Sequence, residues 1–257
     1  SSEIAPYAGV ISIIIPARLA STRLPEKPLA DLFGKSLIQR VYEQALKVDA
    51  ATDVIIATDH PKIFNHVQGF GGKVVMTAAS HVSGTDRIAE VASKIDSDII
   101  INLQGDEPLI HPDQINELIV LMEKPDVAIG TQCQAISSDE QLFDYNIVKV
   151  VRDYNDRALY FSRQAIPAFR DKAYKEWMSS TPYFRHIGMY GFKREILNTL
   201  TQLSASSYEK VESLEQLRWL HHGFQIHCIE THFQSIGVDT PDDLENVRDI
   251  LLKGMFR

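Results

Sequence analysis

Two short runs, IIIP at 13–16 and DIIINL at 98–103, constrain what this chain can fold into more than any other feature. Neither alternates apolar with polar residues, as a strand with one wet face does, so both predict strands buried on two faces. Similar runs recur at 10–15, 53–57, 73–76, 98–103 and 126–130. Between them lie segments with helical spacing at 36–48, 60–70, 84–95 and 111–123. Strand and helix in alternation predict an α/β fold built on a mainly parallel sheet flanked by helices, in which ligands bind beyond the carboxyl ends of the strands.

Past residue 130 the rhythm changes. The segments 146–153, 157–163 and 186–193 read as strands without long helices between them, so a smaller antiparallel subregion is expected over roughly 131–195, inserted in a single domain spanning 1–257. The stretch 208–223 reads as one helix with Val211, Leu214, Leu217 and Leu220 as its apolar stripe and Gly223 just past its end. A strand at 225–230, a short strand at 235–238 and a helix over 239–254 close the chain, with Thr240 and Pro241 at the helix cap and first position. The first nine residues read as an extension.

Composition removes several classes of function. A formal charge of -8 opposes a broad nucleic-acid-coating surface, which depends on displacing counterions with lysine and arginine. Cys133 and Cys228 show no zinc spacing and read as core residues of a protein from a reducing compartment. No run of about 18 apolar residues is available to cross a bilayer and no secretory signal opens the chain, so a cytoplasmic protein without membrane insertion is expected. The Gly-Lys-Ser at 34–36 lacks the earlier glycine of a phosphate loop, and the glycines at 69–72 precede a strand instead of following one, which suits helix termination better than dinucleotide binding.

Against this acidic background the loop after the first strand stands out, because Arg18, Arg23 and Lys27 fall within ten residues. Small Ala17, Ala20 and Ser21 allow close backbone approach, and fixed cations beside free amides suit a polyphosphate, of which a triphosphate is the natural guess. Asp106 and Glu107 follow the fourth strand and Asp239 follows a late one. Carboxylates near a polyphosphate are what Mg2+ takes, since it bridges hard protein oxygens to phosphates. Asp239 also has a second reading, as a helix cap.

The blocks IPARLASTRLPEKPL, SGTDRIAEV, NLQGDEPLI, RALYFSRQAIP, ESLEQLRWL and GVDTPDDLENV, in this order, make the chain resemble the 3-deoxy-manno-octulosonate cytidylyltransferases over nearly its whole length. The resemblance implies a nucleotide-diphospho-sugar transferase type of fold and a cytoplasmic homodimer of lipopolysaccharide synthesis. Its reaction joins CTP to 3-deoxy-manno-octulosonate (KDO), giving CMP-KDO and pyrophosphate. By position, Arg18 and Lys27 are implied as triphosphate contacts with Arg23 beside them. Ser83, Thr85 and Arg87 are implied in the cytidine pocket, and Asp106 and Asp239 as magnesium ligands. Gln104, Arg163, His186, Tyr190, Glu212 and Gln216 are implied as sugar contacts. Arg163 and His186 also have structural readings, as an ion pair and a satisfied histidine. Glu212 and Gln216, four apart, are expected on one helix face. Glu26 stands where many members of the family carry glycine.

The wider alternatives are a CMP-sialic acid synthetase, a metal-dependent glycosyltransferase and a nucleotide-binding regulator without turnover. Residue chemistry alone does not separate KDO from sialic acid.

Overall fold

The computed structural model describes residues 9–255. The extension expected over the first nine residues therefore lies, Gly9 apart, outside the described residues. The chain divides into two compact units, one running to Ile119 and resuming at Phe233, the other covering Val120–His232. The second is wider at both ends than the subregion read over 131–195.

The first unit runs β1 (Ile11–Pro16), a 3-10 turn (Lys27–Leu29), β2 (Asp31–Leu32), β3 (Lys35–Ser36), α1 (Leu37–Leu46), β4 (Asp53–Thr58), α2 (Pro61–Gly69), β5 (Val74–Met76), α3 (Gly84–Ala92), β6 (Ile99–Asn102) and most of α4 (Pro112–Met122). β1 lies between β6 and β4, and β4 carries β5, all in parallel. The isoleucine runs fill this sheet: Ile13, Ile14, Ile15, Ile55, Ile56, Ile100 and Ile101 are fully buried. Each such side chain contributes on the order of 2 kcal/mol of transfer free energy. Leu37, Ile38, Val41 and Ala45 are the buried face of α1.

The two glycine motifs have structural roles. Phe33 and Gly34, both with positive φ, make the two-residue turn between β2 and β3, and Ser36 caps α1 by accepting from the Gln39 N–H. At the other motif α2 ends at Gly69, and Gly71 takes φ 80 just beyond it.

The second unit holds β7 (Ile129–Ala135), α5 (Asp139–Leu142), β8 (Lys149–Arg152), β9 (Ala158–Ser162), α6 (Trp177–Ser180), β10 (Phe184–Lys193), α7 (Arg194–Thr201), α8 (Ser207–Glu212), α9 (Gln216–His221) and β11 (His227–Glu230). β10 is antiparallel to β7 and β8, β8 is antiparallel to β9, and β11 runs parallel to β7. Cys133 on β7 and Cys228 on β11 are buried free thiols. The chain then returns to the first unit as α10 (Pro241–Met255), whose Leu244 and Val247 join Leu32, Leu37 and Val238 in one apolar cluster. No helix of the described residues is long and apolar enough to cross a membrane.

Three local expectations are corrected. The strand read at 126–130 starts at Ile129 and extends to Ala135. The segment 235–238 is not a ladder-paired strand; it is tied by the Val238 N–H donating to the Asp106 carbonyl at 2.8 Å. The helix read over 208–223 is two helices, α8 and α9, broken at Ser213, which takes φ 54 and ψ 50. The break is held from a distance: Arg163 donates from Nε to the Glu212 carbonyl at 2.6 Å and from a terminal nitrogen to the Ser213 carbonyl at 3.2 Å. Those carbonyls therefore need no helical partner. Glu212 and Gln216 consequently do not share a face of one helix. Val211 is exposed instead of joining the stripe, whereas Leu214 and Leu217 are buried.

Because Ser213 is left-handed, Ser213→Gly removes a Cβ conflict and is expected to raise stability by about 0.5–1 kcal/mol. In an unbroken helix the same change would lower stability by a similar amount. The shift of the urea midpoint at constant slope distinguishes the two.

Candidate active site

Because β1 and β6 are neighbouring parallel strands, the segments that follow them leave the sheet on the same side. After β1 comes the loop with Arg18 and Arg23, then Lys27 in the 3-10 turn; after β6 come Gln104, Gly105 and Asp106. The turn packs closely at its glycine: a Cβ on Gly105 would stand 3.4 Å from the Pro16 carbonyl and 3.3 Å from Ile38 Cδ1, so the isoleucine would have to give slightly. Together these segments line a cleft of 540 Å³ that includes Arg18, Lys27, Gln104, Asp106 and Asp239.

Asp239 comes to this cleft through the Val238–Asp106 backbone bond. It does not cap α10. Thr240 Oγ1 accepts from the Asp243 N–H at 3.2 Å, and the Asp243 carboxylate accepts from the N–H groups of Asp239 and Thr240 at 3.0 Å each, a reciprocal cap. The Asp239 carboxylate instead accepts from Arg23 at 2.9 Å and lies 3.7 Å from Lys27 Nζ. Arg23 and Asp239 are both more than half exposed, so this pair is worth little stability by itself.

Asp106 is electrostatically different from Asp239. Burial pushes its carboxyl above the usual range; Lys27 and its own backbone N–H oppose the shift, and the charges of Asp239 and Asp243 add to it. Glu107, read with it as a carboxylate of the site, is buried and accepts from Ser235 Oγ at 2.5 Å. It steadies the segment before Asp239. Glu26 adopts φ 52, the conformation open to glycine, and its carboxylate pairs with Lys62 at 2.7 Å, turned toward α2. Among the described residues no group of three or more His, Cys, Asp or Glu is arranged around a metal position.

A second cleft of 340 Å³ shares Pro16, Ala17, Arg18 and Gln104 with the first and adds His81, Val82, Ser83, Gly84 and Arg87. Ser83 Oγ caps α3 by accepting from the Asp86 N–H, and Thr85 is buried in the first turn. Arg87, also buried, donates to Thr77 Oγ1 at 2.6 Å and to the Ala78 carbonyl at 3.4 Å, with Asp59 at 3.9 Å. Sequence reasoning missed His81 and its partner Glu90. The carboxylate of Glu90 accepts from the Ala78 N–H, from His81 Nε2 at 3.0 Å and from Lys94. The Ala78 amide, His81 and Lys94 outweigh partial burial and hold it down to about 2. The available signal was position: His81 directly precedes the turn into α3 and Glu90 lies on that helix.

The remaining expected residues lie in the second unit. Arg163 is committed to carbonyls, adding that of Tyr145 at 2.9 Å to those of Glu212 and Ser213, while its backbone N–H donates to Glu212 Oε1 at 3.0 Å. His186 meets Thr131 Oγ1 at 2.9 Å; burial, with Arg185 nearby, lowers it to about 3, so it is neutral at physiological pH. Its ring lies 5.3 Å from that of Tyr190, whose buried hydroxyl has no hydrogen-bond partner among the described residues. Burial pushes that phenol up, so it stays a neutral donor. Tyr190 packs edge-on against Trp219 of α9, the helix that carries buried Gln216.

Residues 12–227 match the cytidylyltransferase family. A 3-deoxy-manno-octulosonate cytidylyltransferase of Parabacteroides distasonis is 48% identical over 238 residues, covering 90% of this chain and 94% of that protein. One from Geotalea daltonii is 48% identical over 247 residues, covering 94% and 98%. Among solved structures, a CMP:2-keto-3-deoxy-manno-octonic acid synthetase complexed with CTP superposes with a TM-score of 0.89 at 43% identity, covering 95% of this chain and 99% of that one. With that likeness running through both compact units, the chain belongs to the 3-deoxy-manno-octulosonate cytidylyltransferase family.

Proposed function

We propose that this protein transfers the cytidylyl group of CTP to KDO, releasing pyrophosphate and forming CMP-KDO for lipopolysaccharide synthesis in the cytoplasm. The observation that carries the reading is the convergence of Arg18, Lys27, Asp106 and Asp239 on one cleft at the carboxyl ends of β1 and β6. A site for a nucleotide sugar already made has little use for a triphosphate loop.

Arg18 and Lys27, with the loop amides, hold the triphosphate and offset its charge. Arg23 joins them once the nucleotide displaces Asp239, whose carboxylate occupies Arg23 in the free protein. The anomeric oxygen of KDO attacks the α-phosphorus, the bond from that phosphorus to the bridging oxygen breaks, and pyrophosphate leaves in line as the hydroxyl proton passes to solvent. Ser83, Thr85 and Arg87 form the nucleoside side of the site. Gln104, Arg163, His186, Tyr190, Glu212 and Gln216 are the proposed sugar contacts. Neutral His186 and Tyr190 suit hydroxyl recognition, and Arg163 acts by holding Glu212.

Magnesium fits the donor set, because Asp106 and Asp239 present hard oxygens in one cleft and each lies within the other's field. When bound by them it supplies positive charge to the phosphoryl oxygens and lowers the pKa of the attacking hydroxyl, so no dedicated base is required. We further propose a homodimer, for which light scattering should give twice the monomer mass; a monomer refutes it.

Pyrophosphate release with CTP and magnesium is expected with KDO and not with sialic acid or without sugar. Release with sialic acid alone overturns the acceptor. Asp106→Asn is expected to lose release by at least about a hundredfold, while its melting temperature at neutral pH equals or exceeds the parent's, because a carboxylate disfavoured by burial has been replaced by a neutral group of the same shape. Near-normal turnover overturns the assignment of Asp106.

A further inference from the structure

The His81–Glu90 pair is unused by the reaction as derived above, yet His81 lines the cleft shared with Arg18 and Gln104. A carboxylate only accepts hydrogen bonds, so at 3.0 Å the His81 Nε2 must carry the hydrogen. Glu90 is itself fixed by the Ala78 N–H at 2.9 Å and Lys94 at 3.2 Å. The pair is mostly buried, with side-chain exposures of 18% and 22%, so the ring has little freedom to turn. In the neutral tautomer this leaves Nδ1 as the lone-pair acceptor of the ring. Arg87, which lines the same cleft, offers only donors.

An acceptor and donors set side by side match one pyrimidine edge and not the other. Cytosine presents an exocyclic amine beside acceptors at N3 and O2, whereas uracil presents a keto oxygen and an N3–H. We propose that His81, its tautomer fixed by Glu90, reads the exocyclic amine of the nucleobase and so selects cytosine over uracil. This rests on the reading of the site as a cytidylyltransferase. Glu90 acts through His81 and is a positioning residue.

The test compares kcat/KM for CTP and UTP, with KDO as acceptor, in the parent, His81→Phe and Glu90→Gln. The parent is expected to prefer CTP. His81→Phe should reduce the CTP-to-UTP ratio at least about tenfold, with the loss on CTP. Glu90→Gln should reduce it less, since an amide accepts or donates and no longer dictates the tautomer. Losses that fall equally on both nucleotides in folded variants overturn the proposal. Ring-nitrogen NMR of the intact parent protein gives an independent check that needs no variant: the neutral ring is expected to carry its hydrogen on Nε2, and a neutral ring with its hydrogen on Nδ1 overturns the proposal. Ordinary CTP turnover with an unchanged ratio defeats the inference alone. No turnover with either nucleotide in the parent defeats the underlying reading and takes the inference with it.

Discussion

A single backbone hydrogen bond, Val238 N–H to the Asp106 carbonyl, does most to make a site out of this fold. The residues it joins are far apart in the chain, and the side chains beside it, Asp106 and Asp239, are two acids that repel each other in one cleft. A repulsive pair needs an attractive frame. Part of that frame is apolar: Val238 is fully buried with Leu32, Leu37, Leu244 and Val247. Part is polar: Ser235 donates to Glu107, and Thr240 with Asp243 fixes the start of α10. Clustering unlike that of a stability-optimised surface is then sustained by packing elsewhere.

The cations of the loop resolve the other half of the problem. Asp239 lies against two of the loop cations, Arg23 and Lys27, as phosphate oxygens would. Such half-exposed pairs contribute about 0–1 kcal/mol, so exchanging the carboxylate for a triphosphate costs little. The Glu26–Lys62 pair follows the same economy of charge. It turns an extra acid away from the loop toward α2, and Glu26 bears the left-handed backbone that glycine takes more easily.

How much of this was legible in the sequence follows from how local each cause is. The unbroken isoleucine runs told of a two-sided parallel sheet because burial on both faces acts residue by residue. Parallel order then placed the loop after β1 beside the turn after β6, and so Arg18 and Lys27 near Asp106. Ser213 was not legible. Its segment has a helical pattern on either side, and the break is sustained by Arg163, a residue just past β9 and distant in the chain, whose carbonyl contacts leave no local trace. Asp239 was half legible: Thr240 and Pro241 announced the helix start, but only the fold shows Thr240 and Asp243 capping each other and freeing Asp239 for Arg23. His81 and Glu90 were invisible because nine residues on a turn and a helix do not declare a contact.

Charge is used in two ways in this chain. In the first, cations and acids meet as ions in an open cleft, where salt and ligands compete for them. In the second, fully buried Lys149 gives its ammonium to the carbonyls of Asp144 and Ile147, and Arg163 gives its guanidinium to three more. Burial lowers the Lys149 pKa and holds His186 neutral, with Arg185 adding to the latter. Charge there fixes backbone: Lys149 holds the segment before β8 and Arg163 holds the α8–α9 break, since carbonyl dipoles aimed at a cation leave it little freedom to move. Under the proposed function, a phosphate-handling face must stay exchangeable, whereas a face that recognises hydroxyls by position must not shift by even an ångström. Exposed ion pairs serve the first requirement and buried cation–carbonyl contacts the second.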